Sequence, residues 1–144
     1  MSRSKLLWLV VPLWITVCGC SGFQRDWSRA AKEEFTGIAG RWEGTWESDA
    51  SGHKDKLRCL LTPIDAQTYE ARFRAKYRKV LSFSYTATFT GYHTNGAFYF
   101  SGEADLGKLA GGVYSYDGNV TADRFFSTYQ SKYDHGTFHL KRPE

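Results

Sequence analysis

The feature that most constrains this chain is a period of two that runs from about residue 41 nearly to the end. Within Thr68–Tyr77, Tyr69, Ala71, Phe73, Ala75 and Tyr77 alternate with Thr68, Glu70, Arg72, Arg74 and Lys76. Residues 80–90 repeat the pattern, with Leu81, Phe83, Tyr85, Ala87 and Phe89 set against Ser82, Ser84, Thr86 and Thr88. Successive side chains of a strand point to opposite faces, so each segment reads as a strand with one apolar and one polar face. Further strands are expected at 41–48 (Trp42, Gly44 and Trp46 inward), 54–62 (Leu57, Cys59 and Leu61 inward) and 97–104 (Phe98 and Phe100 inward). Three more are expected at 108–121, bent or bulged at Gly111-Gly112, at 125–132 and at 136–141. Asn95-Gly96 is a strong two-residue hairpin signal. Eight strands with short connections pair antiparallel in sequence order. The expectation is an all-β chain, a single antiparallel eight-stranded up-and-down barrel; a β-sandwich is the alternative. Long strands with bulky residues on one face favour the barrel, which gives those faces one shared interior. At 144 residues the chain has room for one such domain, expected over 26–144.

Before the strands, residues 26–35 read as a short helix: Asp26 is a natural cap, and Trp27, Ala30, Ala31 and Glu34 follow at helical spacing. Gly37 and Gly40 end it.

The first nineteen residues differ in kind. Arg3 and Lys5 precede an apolar core of about a dozen residues, too short for the roughly 20 that span a bilayer. This reads as a secretory signal over 1–19. The segment Val17-Cys18-Gly19-Cys20 resembles the lipobox of bacterial lipoproteins, with valine in place of the commoner leucine and an unusual cysteine at 18. The resemblance implies cleavage before Cys20, acylation of Cys20 and a lipid-anchored tether over 20–25. Several acyl chains anchor stably where one is marginal. It also implies a cell-envelope location, and Ser21 implies the outer membrane, facing the periplasm, if the cell is Gram-negative. Loss of Arg3 and Lys5 takes the net charge from +4 to +2, too mild for a nucleic-acid partner. Cys18 leaves with the signal and Cys20 is lipidated, so Cys59 stands alone and reads as a small buried hydrophobe.

Gly40-Arg41-Trp42, echoed by Gly44-Thr45-Trp46, stands at the first strand after the helix. With the length and the eight strands, this resembles the calycin group, the lipocalins and their relatives. The resemblance implies that the tryptophan closes the base of the barrel under an arginine, a part open here to Arg124 or Arg142. This chain departs from the pattern in having no helix after the last strand, no disulfide and no Thr-Asp-Tyr-like motif.

Four constellations carry the functional expectations. Trp46, Tyr69, Phe73, Tyr77, Phe83, Tyr85, Phe98 and Phe100 are candidate barrel-interior residues for a hydrophobic or amphipathic small molecule. The same aromatics are bulky enough to fill an eight-stranded barrel outright. Lys54, Lys56 and Arg58 share one outer face with Arg72, Arg74 and Lys76, a basic stripe that suits an anionic envelope component or, with Glu43, Glu47 and Glu70, a solvated mixed-charge face. His135 and His139 lie about 13 Å apart on a strand, too far to share a metal, and His53 and His93 fall in loops. No metal site or cofactor is expected. Glu103 and Asp105 border a turn, and no nucleophile elbow or phosphate loop is present, so no catalytic residues and no enzyme are expected. Tyr92, Tyr99, Tyr114, Tyr116, Tyr129 and Tyr133 cannot all be interior; some are expected to form a surface cluster for protein or glycan contact, and half-buried packing between barrel and helix is the alternative. The leading expectation is a non-enzymatic, membrane-anchored lipoprotein that binds a small molecule in its barrel. Its rival is an envelope interaction module with a filled core.

Overall fold

A computed structural model describes residues 20–144. They form one helix, α1 (Cys20–Ala30), and eight strands: β1 (Gly40–Ser48), β2 (Lys54–Pro63), β3 (Thr68–Tyr77), β4 (Leu81–Thr94), β5 (Ala97–Asp105), β6 (Val113–Val120), β7 (Arg124–Gln130) and β8 (His135–Lys141). Each strand pairs antiparallel with the next, and β8 returns to β1, so the sheet is a closed barrel in sequence order. That closure excludes the sandwich. The period of two becomes the two sides of the wall: inward Tyr69, Ala71, Phe73 and Ala75 of β3 are buried, and the residues between them are more exposed.

Three expected elements are corrected. The helix begins at Cys20 and ends at Ala30, not 26–35, so the expected tether 20–25 is helical. Phe23, Trp27 and Ala30 lie on one helical stripe and bury against Leu60 on the outside of β2. Beyond Ala30, Lys32-Glu33-Glu34 offers nothing apolar to pack. The strand expected over 108–121 is shorter: Lys108–Ala110 is a 3-10 turn. Gly107, Gly111 and Gly112 all have positive φ, which lifts this segment off the ladder before β6 starts. Strand β4 runs on to Thr94 and meets β5 across Asn95-Gly96, both with positive φ as the expected hairpin requires. The expected signal, 1–19, lies outside the described residues.

The two ends of the barrel differ. At the end where β1 begins, Trp42 is fully buried and donates its Nε1–H to the Ile38 carbonyl at 2.9 Å. Of the two arginines considered for its cover, Arg142 takes the place, its guanidinium 4.0 Å from the Trp42 ring centroid. Arg142 also donates to the carbonyls of Gly37, Ala39 and Arg41. Above Trp42, Phe89, Phe98, Phe100 and Phe125 pack solidly, with the Phe89 and Phe100 rings stacked at 4.1 Å. This end is closed.

Candidate functional site

At the other end the barrel is hollow. A cavity of about 600 Å³ is lined by residues of seven strands, all but β5, and of the segment between β5 and β6. Its walls are largely apolar: Trp46, Leu57, Ala75, Leu81, Phe83, Leu109 and Phe138 among them. Phe73 sits beneath it, stacked on Tyr85 at 5.1 Å and tilted against Phe138 at 5.5 Å. The cavity forms here because β3 narrows to Ala75 near its end, while β5 has already stopped at Asp105.

The eight expected interior residues divide between the two ends. Trp46, Tyr77, Phe83 and Tyr85 line the cavity. Phe73 forms the layer beneath it. Tyr69, Phe98 and Phe100 belong to the closed end, where the Tyr69 ring packs 4.9 Å from Phe98 and its hydroxyl meets His93 Nε2 at 3.3 Å. Trp46 stacks on Tyr77 at 6.2 Å and donates Nε1–H to the Lys76 carbonyl at 2.8 Å, which fixes the ring at the cavity wall.

Tyr114, Tyr116 and Tyr129 also line the cavity; the sequence left open which of the six tyrosines face inward and named none of these three as an interior candidate. Their signal was present. Tyr114 and Tyr116 alternate with Ser115 and Asp117, but a strand begun at Lys108 blurs the phase. These tyrosines supply the cavity's polar points. The Tyr116 hydroxyl is buried and has no hydrogen-bond partner among the described residues. Tyr85 lies beside it, ring centroids 6.5 Å apart. Burial pushes both phenols well above their ordinary pKa. Tyr129 donates to Asp134 Oδ2 at 3.2 Å, and Ser48 Oγ donates to Asp134 Oδ1 at 2.6 Å. Burial, and then the Asp134 carboxylate, hold the Tyr129 phenol neutral far above neutral pH. The cavity therefore presents neutral hydroxyls and one carboxylate in an apolar chamber.

The basic stripe lies outside the wall and is partly engaged within the chain. Arg58 stands directly opposite Arg74 in the ladder, as the side-by-side rows require. Helix α1 lies over them: Arg72 meets Asp26 at 2.7 Å and Arg58 meets Gln24 at 3.4 Å. The Arg58 and Arg41 guanidinium groups stack over Trp27. Lys54 pairs with Glu47 at 3.8 Å, and Arg58 with Glu43 at 3.9 Å. Lys56 and Lys76 are exposed. Cys59 is buried and free, and burial raises its thiol pKa well above the usual value. His135 pairs with Asp49, and His139 packs on Phe126. Asp105 accepts the Gly107 N–H as a turn bond. Among the described residues, no three His, Cys, Asp or Glu side chains gather as a metal site, and no helix is long and apolar enough to cross a membrane.

No family model and no curated protein matches this chain. Among solved structures, a redesigned β-barrel matches with a TM-score of 0.56 at 15% identity, covering 74% of this chain and 92% of that one. At that identity the likeness concerns the fold.

Proposed function

We propose that this chain is a non-enzymatic lipoprotein, anchored in the cell envelope through Cys20, whose barrel holds a hydrophobic or amphipathic small molecule. The observation that carries the reading is the cavity. Its volume of about 600 Å³ falls in the range of small-molecule sites, roughly 300–1,000 Å³. Its apolar walls suit a hydrocarbon or ring system. The unpaired Tyr116 hydroxyl, buried at low dielectric, suits one polar group on that ligand. The signal and lipobox features of residues 1–20 support the envelope location.

Native mass spectrometry tests this. The chain with Cys20→Ser, purified from its own host's envelope, is expected to carry a lipid-sized mass that is lost on denaturation. An Ala75→Phe variant, which places a ring in the cavity, is expected to lose that mass while keeping its fold. A bare polypeptide mass for the Cys20→Ser protein would overturn the ligand reading. The filled-core interaction module would then take its place, with the exposed Tyr92–Tyr99 stack as its contact surface.

A further inference from the structure

The cavity does not open onto an ordinary polar surface. Five of the large apolar side chains most exposed among the described residues stand around its mouth. Val80 is 82% exposed and Leu81 60%, at the β3–β4 turn, with Phe83 just behind. Across the mouth, Leu109 is fully exposed and Val113 is 54% exposed. Leu81, Phe83 and Leu109 also belong to the cavity lining, so the apolar surface runs from outside to inside.

The turn that carries Val80 is built against backbone preference. Arg78 and Lys79 have φ of 52° and 63°, a left-handed conformation that side-chain-bearing residues adopt rarely. Asp55 holds it by accepting the Lys79 N–H at 2.8 Å. Such strain persists where surrounding structure enforces it, often at functional sites.

Charge follows the same rim. Lys76, Arg78, Lys79 and Lys108 flank the apolar tips, and none of the four forms an ion pair with a described residue. The nearby carboxylates bond to backbone: Asp55 takes the N–H groups of Lys56 and Lys79 while attracting the Lys76 and Lys79 charges from beyond ion-pair distance, and Asp105 takes that of Gly107.

The wall is also open on one side here. Strand β4 pairs with β3 from Leu81 onward but with β5 only over Thr88–Thr94. Leu81–Ala87 therefore edge a slot whose far side is the glycine-rich segment carrying Leu109.

We propose that the mouth of the barrel seats on an anionic lipid bilayer surface. Val80, Leu81, Phe83 and Leu109 enter the interface, and Lys76, Arg78, Lys79 and Lys108 meet headgroup phosphates. Apolar tips interleaved with cations suit the boundary between headgroups and acyl chains. The side slot then gives a lipid-like amphiphile a dry passage between bilayer and cavity. This last step rests on the cavity being a ligand site; the docking does not.

The test uses the Cys20→Ser protein, so that no acyl anchor contributes, with vesicles of phosphatidylcholine with and without phosphatidylglycerol. Co-sedimentation is expected with the anionic vesicles, weakened by salt. The double variant Val80→Asp with Lys79→Gln is expected to bind those vesicles about tenfold more weakly or worse. Neither residue lines the cavity, so the double variant keeps its binding of a fluorescent fatty acid added without vesicles. Equal vesicle binding by the double variant overturns the docking proposal, as does no vesicle binding by the Cys20→Ser protein. A dimer through the Val80–Phe83 edge without vesicle binding overturns it too. Fatty-acid binding without vesicle binding leaves the ligand reading standing alone. Vesicle binding without fatty-acid binding leaves the docking standing alone.

Discussion

Tyr116 places a polar group in the cavity wall at a cost to the fold. It is buried, and its hydroxyl faces that of Tyr85 without a hydrogen bond of good geometry. A buried unpaired hydroxyl destabilises, by about 1–3 kcal/mol in mutational series. Tyr116→Phe is therefore expected to leave the ligand-free protein as stable as before or up to about 1 kcal/mol more stable, as urea denaturation would measure. The same change is expected to weaken binding of an amphiphile that bears a hydroxyl or carbonyl, measured by quenching of Trp46 emission. Lower stability in Tyr116→Phe would mean that the hydroxyl has a partner in solution that the fold supplies. Trp42 is the contrasting case: its indole N–H is taken by Ile38, Arg142 lies over its ring, and Phe125 meets it in an edge contact. Its place was legible from Gly-x-Trp at the first strand. Which arginine covers it was not, because Arg142 reaches it from the far end of the chain.

At the scale of elements, helix α1 was mislocated for a reason that sets its behaviour. Its phase is fixed by the docking of Phe23, Trp27 and Ala30 on Leu60. Leu60-Leu61 did carry a sign of this, since adjacent apolar residues in a strand mean both faces are covered. The helix is held also by Asp26 on Arg72. That hydrogen bond keeps the Asp26 carboxyl below its ordinary pKa. A lowered folded-state value means the contact contributes fully above the unfolded carboxylate pKa, about 4, and is lost as pH falls through the lower folded value. Acidification below about pH 4 is thus expected to loosen α1 from the barrel, with Trp27 emission shifting to the red. Asp26→Asn is expected to remove that pH dependence. A shift that persists in Asp26→Asn would assign it to another carboxylate.

At the scale of the whole molecule, the barrel is solid at one end and hollow at the other, and its stability is expected to follow. Leu81–Ala87 of β4 pairs with β3 alone, whereas Thr88–Thr90 pairs with both β3 and β5. In hydrogen exchange, alternate amides within 81–87 are expected to exchange on the order of tenfold or more faster than those of 88–90, and to slow when the cavity is occupied. Uniform protection along β4 would mean that the slot is closed in solution. The sequence by itself determined the strands, their inward faces and their antiparallel order. Those follow from alternation and turn chemistry, which are local along the chain, and they separated the eight candidate interior residues correctly from the outer face. It did not determine where the interior is filled. That depends on how residues distant in sequence share one layer: Phe89, Phe98, Phe100 and Phe125 converge at one end, whereas Ala75 faces Tyr116 and Phe138 across empty space at the other. Only closure of β8 on β1, with its particular register and the early stop of β5, sets those layers. A periodic pattern names the face a side chain points to; the tertiary structure alone decides how much volume that face leaves.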